Sequence, residues 1–281
     1  MVMDQRIIGR LEKGNGDIKE REINMQVDII KQVRDTKPLV HHLTNQVVMN
    51  FSANGLLSFG GSPIMAKAIE EVEQIAAISN AVLINIGTLT STELESMIAA
   101  GKTANKHNIP VLLDPVGVAA TSFRRNAIDK ILEEVRPTVI KGNAGELASL
   151  VNINLEAKGV DSIGDGNLDV IAQKVSEKYN TAVVVTGETD VIYVDNHLIH
   201  NGTGHHYLSS ITGSGCLLGS IIAACLTTKS TLKDQLMTAV SFYGLSASYA
   251  ANQENVHGTG SFLPVFIDSL SKMPQELTEG E

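Results

Sequence analysis

Short apolar runs alternate along the chain with longer stretches in which apolar residues recur at helical spacing. The short runs predict strands at Leu39–Leu43, Ala81–Ile86, Pro110–Leu113, Thr138–Ile140, Ala182–Val185 and Val191–Val194. Helices are predicted over Val47–Leu57, Glu70–Ser79, Ser91–Lys106, Ala144–Val151, Leu168–Tyr179, Cys216–Leu226 and Leu232–Ala251. An earlier one carries Val27, Ile29, Ile30 and Val33 on one face and stops before Pro38. Strands and helices in alternation imply a three-layer α/β fold, a central mostly parallel sheet flanked by helices. The turn at Gly187–Asp190 allows Val191–Val194 to pair antiparallel. Residues 1–22 lack sustained periodicity and read as a flexible leader, leaving 23–281 as a single domain. Leu155–Asn167 (LEAKGVDSIGDGN) reads as the one long loop.

Composition narrows this picture. The 281 residues are 43% hydrophobic and 19% charged, which excludes a disordered chain and provides a core that needs no disulfide or metal staple. A net charge of -9 argues against broad nucleic-acid binding, which requires a basic surface. It leaves open a small phosphate ligand, because backbone N–H groups hold anions locally. The two cysteines, Cys216 and Cys225, would stand ~13 Å apart on a helix, too far to bond. Free thiols, no apolar signal segment and no run near the ~20 residues that span a bilayer lead to the expectation of a soluble, cytoplasmic protein.

Candidate chemistry clusters where predicted strands end: HHLTN, NIGT, DPVG, KGNAGE and VTGE. In an open parallel sheet, ligands sit beyond these carboxyl ends. Asp114 follows a buried-looking VLL run and could orient a hydrated Mg²⁺, or could form a turn or cap. Glu146 lies three residues after Asn143, the spacing of a capping box. Lys141 by itself reads as a surface lysine, with a phosphate-facing cation as the functional alternative. In ITGSGCLL, Gly213 and Gly215 allow backbone N–H groups to converge on an anion at a helix N-terminus. Cys216 sits on that first turn, where a thiol pKa is depressed, with simple burial in the core as the alternative. Gly101–Lys102–Thr103 mimics the end of a P-loop, but Ser96 stands where its first glycine belongs. The histidines at 41, 42, 197, 200, 205 and 206 lack companion ligands at zinc spacing. No G-x-S-x-G elbow supports acyl transfer.

The stretch from Pro38 to Ala66 (PLVHHLTNQVVMNFSANGLLSFGGSPIMA), followed by LINIGTLT, LLDPVGVAATSFR, IKGNAGE, VVTGE, TGSGCLLGS and GTGSF, resembles the hydroxyethylthiazole kinase family. The resemblance runs in unbroken order over about residues 25–272. It implies a ribokinase-like fold, a homotrimer with sites at subunit interfaces, and phosphorylation of 4-methyl-5-(2-hydroxyethyl)thiazole by ATP with Mg²⁺ in thiamine salvage. It further implies substrate contacts at Asn45, Met65, Gly87, Thr88 and Gly213 and nucleotide contacts at Lys141, Thr186 and Gly215. Asp114 and Glu146 would serve the metal. Cys216 would be the catalytic residue, acting as a weak base or by shaping the loop, where other ribokinase-like enzymes carry Asp. Lys141 stands where the family often has Arg, a point charge in place of a fork. The alternatives are another ribokinase-like small-molecule kinase or a non-catalytic thiamine-pathway binder. The first usually has Asp at the position of Cys216; the second should have lost TGSGC or the Asp114–Glu146 pair, and both are intact.

Overall fold

A computed structural model describes residues 7–12, 18–23, 25–154 and 165–278. Within the stretch read as a leader, Ile7–Glu12 (β1) and Ile18–Ile23 (β2) form an antiparallel hairpin, with Ile7 opposite Ile23 and Glu12 opposite Ile18. Val27–Thr36 (α1) buries Val27, Ile29, Ile30 and Val33, and ends with Lys37 in the left-handed region directly before Pro38. Then follow Leu39–Leu43 (β3), Met49–Phe59 (α2), Ser62–Ile64 (β4), Val72–Ile78 (α3), Ala81–Asn85 (β5) and Ser91–Lys106 (α4). The chain continues through Val111–Asp114 (β6), Ser122–Glu134 (α5), Val139–Asn143 (β7), Ala144–Leu150 (α6), Asp165–Tyr179 (α7) and Ala182–Thr186 (β8). Asp190–Val194 (β9), His197–Asn201 (β10), Ser214–Cys225 (α8), Leu232–Ala251 (α9) and Thr259–Ser269 (α10) complete it. The loop expected over 155–167 falls outside the described residues up to 164, and α7 begins at Asp165.

The main sheet has eight strands in the order β10-β9-β8-β7-β6-β5-β3-β4. From β8 to β4 all neighbours are parallel, and the β8–β9 and β9–β10 pairs are antiparallel, as the turn before Val191 suggested. Side chains alternate strictly across it. Val40, Ala81, Leu83, Leu112, Val139 and Val184 join one core with α1, α2, α8, α9 and α10. Leu43, Val82, Ile84, Val111, Leu113 and Val183 join the other with α3 to α7. This is the three-layer α/β arrangement expected from the pattern. Local signals set the helix starts: Thr90 and Glu93 form a reciprocal capping box on α4, and Thr121 and Thr231 cap α5 and α9.

Candidate active site

The carboxyl ends of the central strands place four polar residues in register: Asn85 beside Asp114, and Asn143 beside Thr186. Asp114 is 1% and Lys141 3% exposed, so both charges are withdrawn from water. Lys141 Nζ donates to Asp114 Oδ2 at 3.1 Å and to the Gly215 carbonyl at 2.8 Å. Asn85 Nδ2 donates to the same carboxylate oxygen at 2.9 Å and to Cys216 Sγ at 3.2 Å. Asn85 Oδ1 accepts from Gly87 N–H at 2.9 Å and from Asn45 Nδ2 at 3.0 Å. Asn45 Nδ2 lies 3.5 Å from Cys216 Sγ. The Gly87 N–H and the Asp114 carboxylate, groups of fixed polarity, orient the Asn85 amide, and that in turn orients Asn45. The sulfur therefore accepts from two amides.

Cys216 lies in the first turn of α8, whose N-cap is Gly213 with φ +88° and no side-chain cap. The first N–H groups of a helix have no intrahelical partners, so this uncapped N-terminus presents donors beside the buried charges. The thiol does not follow the expectation of a depressed pKa. Burial pushes it up, and the Asp114 charge adds to that, outweighing Lys141 and the two amides. Cys216 is a thiol at neutral pH. Burial also raises Asp114 to about 6 against the pull of Lys141, so it remains a carboxylate at pH 7. Burial alone would lower Lys141, but Asp114, with Cys216 and Glu146 behind it, lifts its pKa above the usual value.

Lys141 is thus not the surface lysine that its position alone suggested. Its ammonium sits inside the site, with one N–H left beyond the two in use. Glu146 does form the capping box with Asn143, each accepting the other's N–H at 2.9 Å, and its Oε1 also accepts from Gly117 N–H. Its carboxylate ties the DPVG turn to the start of α6. Thr88 Oγ1 accepts from Gln46 N–H at 3.1 Å, joining the loops after β3 and β5. Gly87 packs so closely on Asn45 that a Cβ would come within 2.7 Å of its side chain. Met65 follows the edge strand β4 one residue past Ile64, and Thr186 ends β8. Among the described residues no hydrogen bond ties either side chain to the cluster around Asp114. Asn85, which links Asp114, Cys216, Asn45 and Gly87, was not singled out in the sequence. Its signal was its place at the head of NIGT, an amide closing the apolar run AVLI.

Among the described residues no cluster of three His, Cys, Asp or Glu could hold a metal by itself. One atom does invite a cation: Asp114 Oδ1 is buried and has no hydrogen-bond partner among the described residues. A hydrated Mg²⁺, which takes one or two carboxylates and completes its shell with water and phosphate, fits such a donor. No helix among the described residues is long and apolar enough to cross a membrane.

A mostly parallel eight-stranded sheet between two helical layers defines the class, and solved structures share that fold. A ribokinase-like superfamily protein of Enterococcus faecalis V583 matches with TM-score 0.59 at 14% identity, over 88% of this chain and 95% of its own. An ADP/ATP-dependent NAD(P)H-hydrate dehydratase of Bacillus subtilis, co-crystallised with ATP/Mg²⁺, matches with TM-score 0.52 at 14% identity, over 84% and 91%. The fold is ribokinase-like. The Hydroxyethylthiazole kinase family matches residues 30–276, and a hydroxyethylthiazole kinase protein from Pyrococcus horikoshii OT3 matches with TM-score 0.81 at 34% identity, covering 91% of this chain and 96% of that one. The chain belongs to the hydroxyethylthiazole kinase family and is a kinase.

Proposed function

We propose that the chain transfers the γ-phosphoryl group of ATP to the primary hydroxyl of 4-methyl-5-(2-hydroxyethyl)thiazole, with Mg²⁺, in cytoplasmic thiamine salvage. The observation that carries the chemistry is the free Asp114 Oδ1 beside Lys141, at the foot of the uncapped α8 N-terminus. Phosphoryl transfer through a loose transition state needs positioning and charge stabilisation more than covalent help. The N–H groups of Gly213–Cys216 receive the charge on the transferring group, with the helix dipole behind them. The remaining N–H of Lys141, the Gly215 backbone and Thr186 bind the nucleotide. Asp114 holds the metal, with Glu146 acting from the adjoining turn; Mg²⁺, when bound, neutralises and orients the phosphates. Asn45, Met65, Gly87, Thr88 and Gly213 bind the thiazole. Because Cys216 is protonated and accepts from two amides, its role is to position the hydroxyl and shape the loop rather than to act as a strong base. The chain assembles as a homotrimer with the sites at its interfaces, a reading supported by apolar Val47 and Leu57, exposed at 68% and 57% in the segment that follows Asn45.

The test is a coupled ADP-release assay with the thiazole alcohol and, in parallel, hydroxymethylpyrimidine. ADP release that depends on the thiazole is expected. Release with the pyrimidine alone would move the chain to another substrate, and none with either would overturn the reading.

A further inference from the structure

A second polar network centres on Asp190, within reach of the Lys141 charge, and its members carry no role so far. Asp190 Oδ1 accepts from Gly187 N–H at 3.1 Å, closing the turn between β8 and β9. Its Oδ2 accepts from Asn201 Nδ2, also at 3.1 Å. Asn201, at the end of edge strand β10, is buried, and its Oδ1 accepts from Thr203 Oγ1 at 3.0 Å and Ser241 Oγ at 3.1 Å. Ser241 belongs to α9. On the same helix, a Cβ at Gly244 would collide with Thr203, and Ser248 Oγ donates to the Gly204 carbonyl at 2.9 Å. Positions 241, 244 and 248 form one helical stripe, so 201–204 lie along a row of small residues. From elsewhere on α9, Tyr243 donates its hydroxyl to the Ser214 carbonyl at 2.6 Å, in the first turn of α8.

One helix therefore holds both loops that flank the phosphate end of the site. Tyr243 fixes the start of α8, and Ser241 fixes the β8–β9 turn through Asn201 and Asp190. We propose that Asp190 and Asn201 are positioning residues that set the Thr186–Thr189 turn against the α8 N-terminus, so that both meet one nucleotide. This rests on the kinase reading, in which Thr186 contacts the nucleotide. A turn needs only an acceptor for Gly187 N–H. The buried Asn201, bonded at its amide nitrogen to Asp190 and at its oxygen to Thr203 and Ser241, adds a fixed distance to α9 that an isolated turn would lack.

The pair permits a reciprocal test. N201D sets a carboxylate against the Asp190 carboxylate and removes the donor between them. D190N/N201D restores it in reverse: the new amide donates to the new carboxylate, accepts from Gly187 N–H, and leaves oxygens for Thr203 and Ser241. The readouts are the Kd of a fluorescent ADP analogue, the KM of the thiazole alcohol, and hydrogen exchange over residues 186–190. N201D should weaken ADP binding at least tenfold, leave the thiazole KM within about twofold, and speed exchange in the turn. The double variant should bring all three back to within threefold of wild type. D190N, which sets N–H against N–H, is the second single variant should N201D not fold. Wild-type ADP binding and exchange in the single variants, or a double variant no better than N201D, overturns the proposal. If the wild-type chain binds no ADP, the kinase reading fails and takes the nucleotide role with it, while exchange still reports on the brace.

Discussion

Replacing Lys141 with Met leaves the Asp114 carboxylate buried without its counter-charge. Breaking such a pair typically costs ~3–5 kcal/mol, whereas removing both partners together is often nearly neutral. The expected result is a large fall in the urea midpoint for K141M, most of it recovered in K141M/D114L, with neither variant active. A midpoint unchanged in K141M would show that the pair does not bear on stability. His42 makes a second residue-scale prediction. It is fully buried, held by the Val40 carbonyl on Nδ1 and by Ser220 on Nε2, and burial lowers its pKa to about 4. The unfolded chain takes up this proton near 6.5 and the folded chain only near 4, so its contribution is intact above pH 6.5 and is lost as pH falls towards 4. At ~1.4 kcal/mol per pKa unit the loss is about 3 kcal/mol. The slope of stability between pH 6.5 and 4 should flatten in H42Q, measured by urea unfolding across that range. Both cases show what was hidden in the sequence at this scale. Asp114 is 27 residues from Lys141, and Asn85 reaches partners 29, 40 and 131 residues away. Local pattern could mark Asp114 and the glycine loop as chemical, but it could not see which charge neutralises which.

Gly213 joins residue to element. Its φ of +88° suits glycine, and a Cβ there would come within 2.5 Å of the Val48 side chain. Val48 is the N-cap of α2 and its N–H reaches the Asn45 carbonyl at 3.4 Å, so a push on it is passed towards Asn45, the proposed thiazole contact. G213A should therefore lose at least tenfold in kcat/KM, an effect separate from the ~1–2 kcal/mol that left-handed strain would remove from stability. Kinase assays beside thermal melts separate the two effects; equal activity with a lowered Tm would refute the transmission. Elements with strong periodicity were legible: α4 and α9 have the bounds that the pattern gives, and six parallel or antiparallel strands lie where the apolar runs are. The missed ones have physical reasons. Helix α5 buries only Ala127, Ile128 and Ile131, too thin a stripe to stand out, and α10 carries Pro264 inside it. Strand β4 has three residues, and β10 is an edge strand whose exposed positions include Leu198. The β1–β2 hairpin pairs mixed charged and apolar residues without the alternation that marks a half-buried strand.

At the scale of the whole molecule, two cores on opposite faces of one sheet use up most of the apolar surface, and what they leave out is informative. Val47 and Leu57 are more than half exposed, and both belong to the segment around α2 that begins two residues after Asn45. Leu57 shares its helix face with the exposed Asn50 and Asn54, spaced at i, i+4 and i+7. A polar amide row with a large apolar residue at its end suits a surface that another copy covers, since contact removes the apolar area from water while the amides find partners across it. If the homotrimer forms there, light scattering should give three times the 30.0 kDa chain mass, and L57E should move the mass towards one chain. Because α2 follows directly on the Asn45 loop, loss of a contact along it should also raise the thiazole KM in L57E while changing the ADP affinity little. In the proposed reading the nucleotide contacts Lys141, Thr186 and Gly215 come from β7, β8 and α8, away from α2. A wild-type mass of one chain would remove the trimer, and a trimer unaffected by L57E would put the interface on another face.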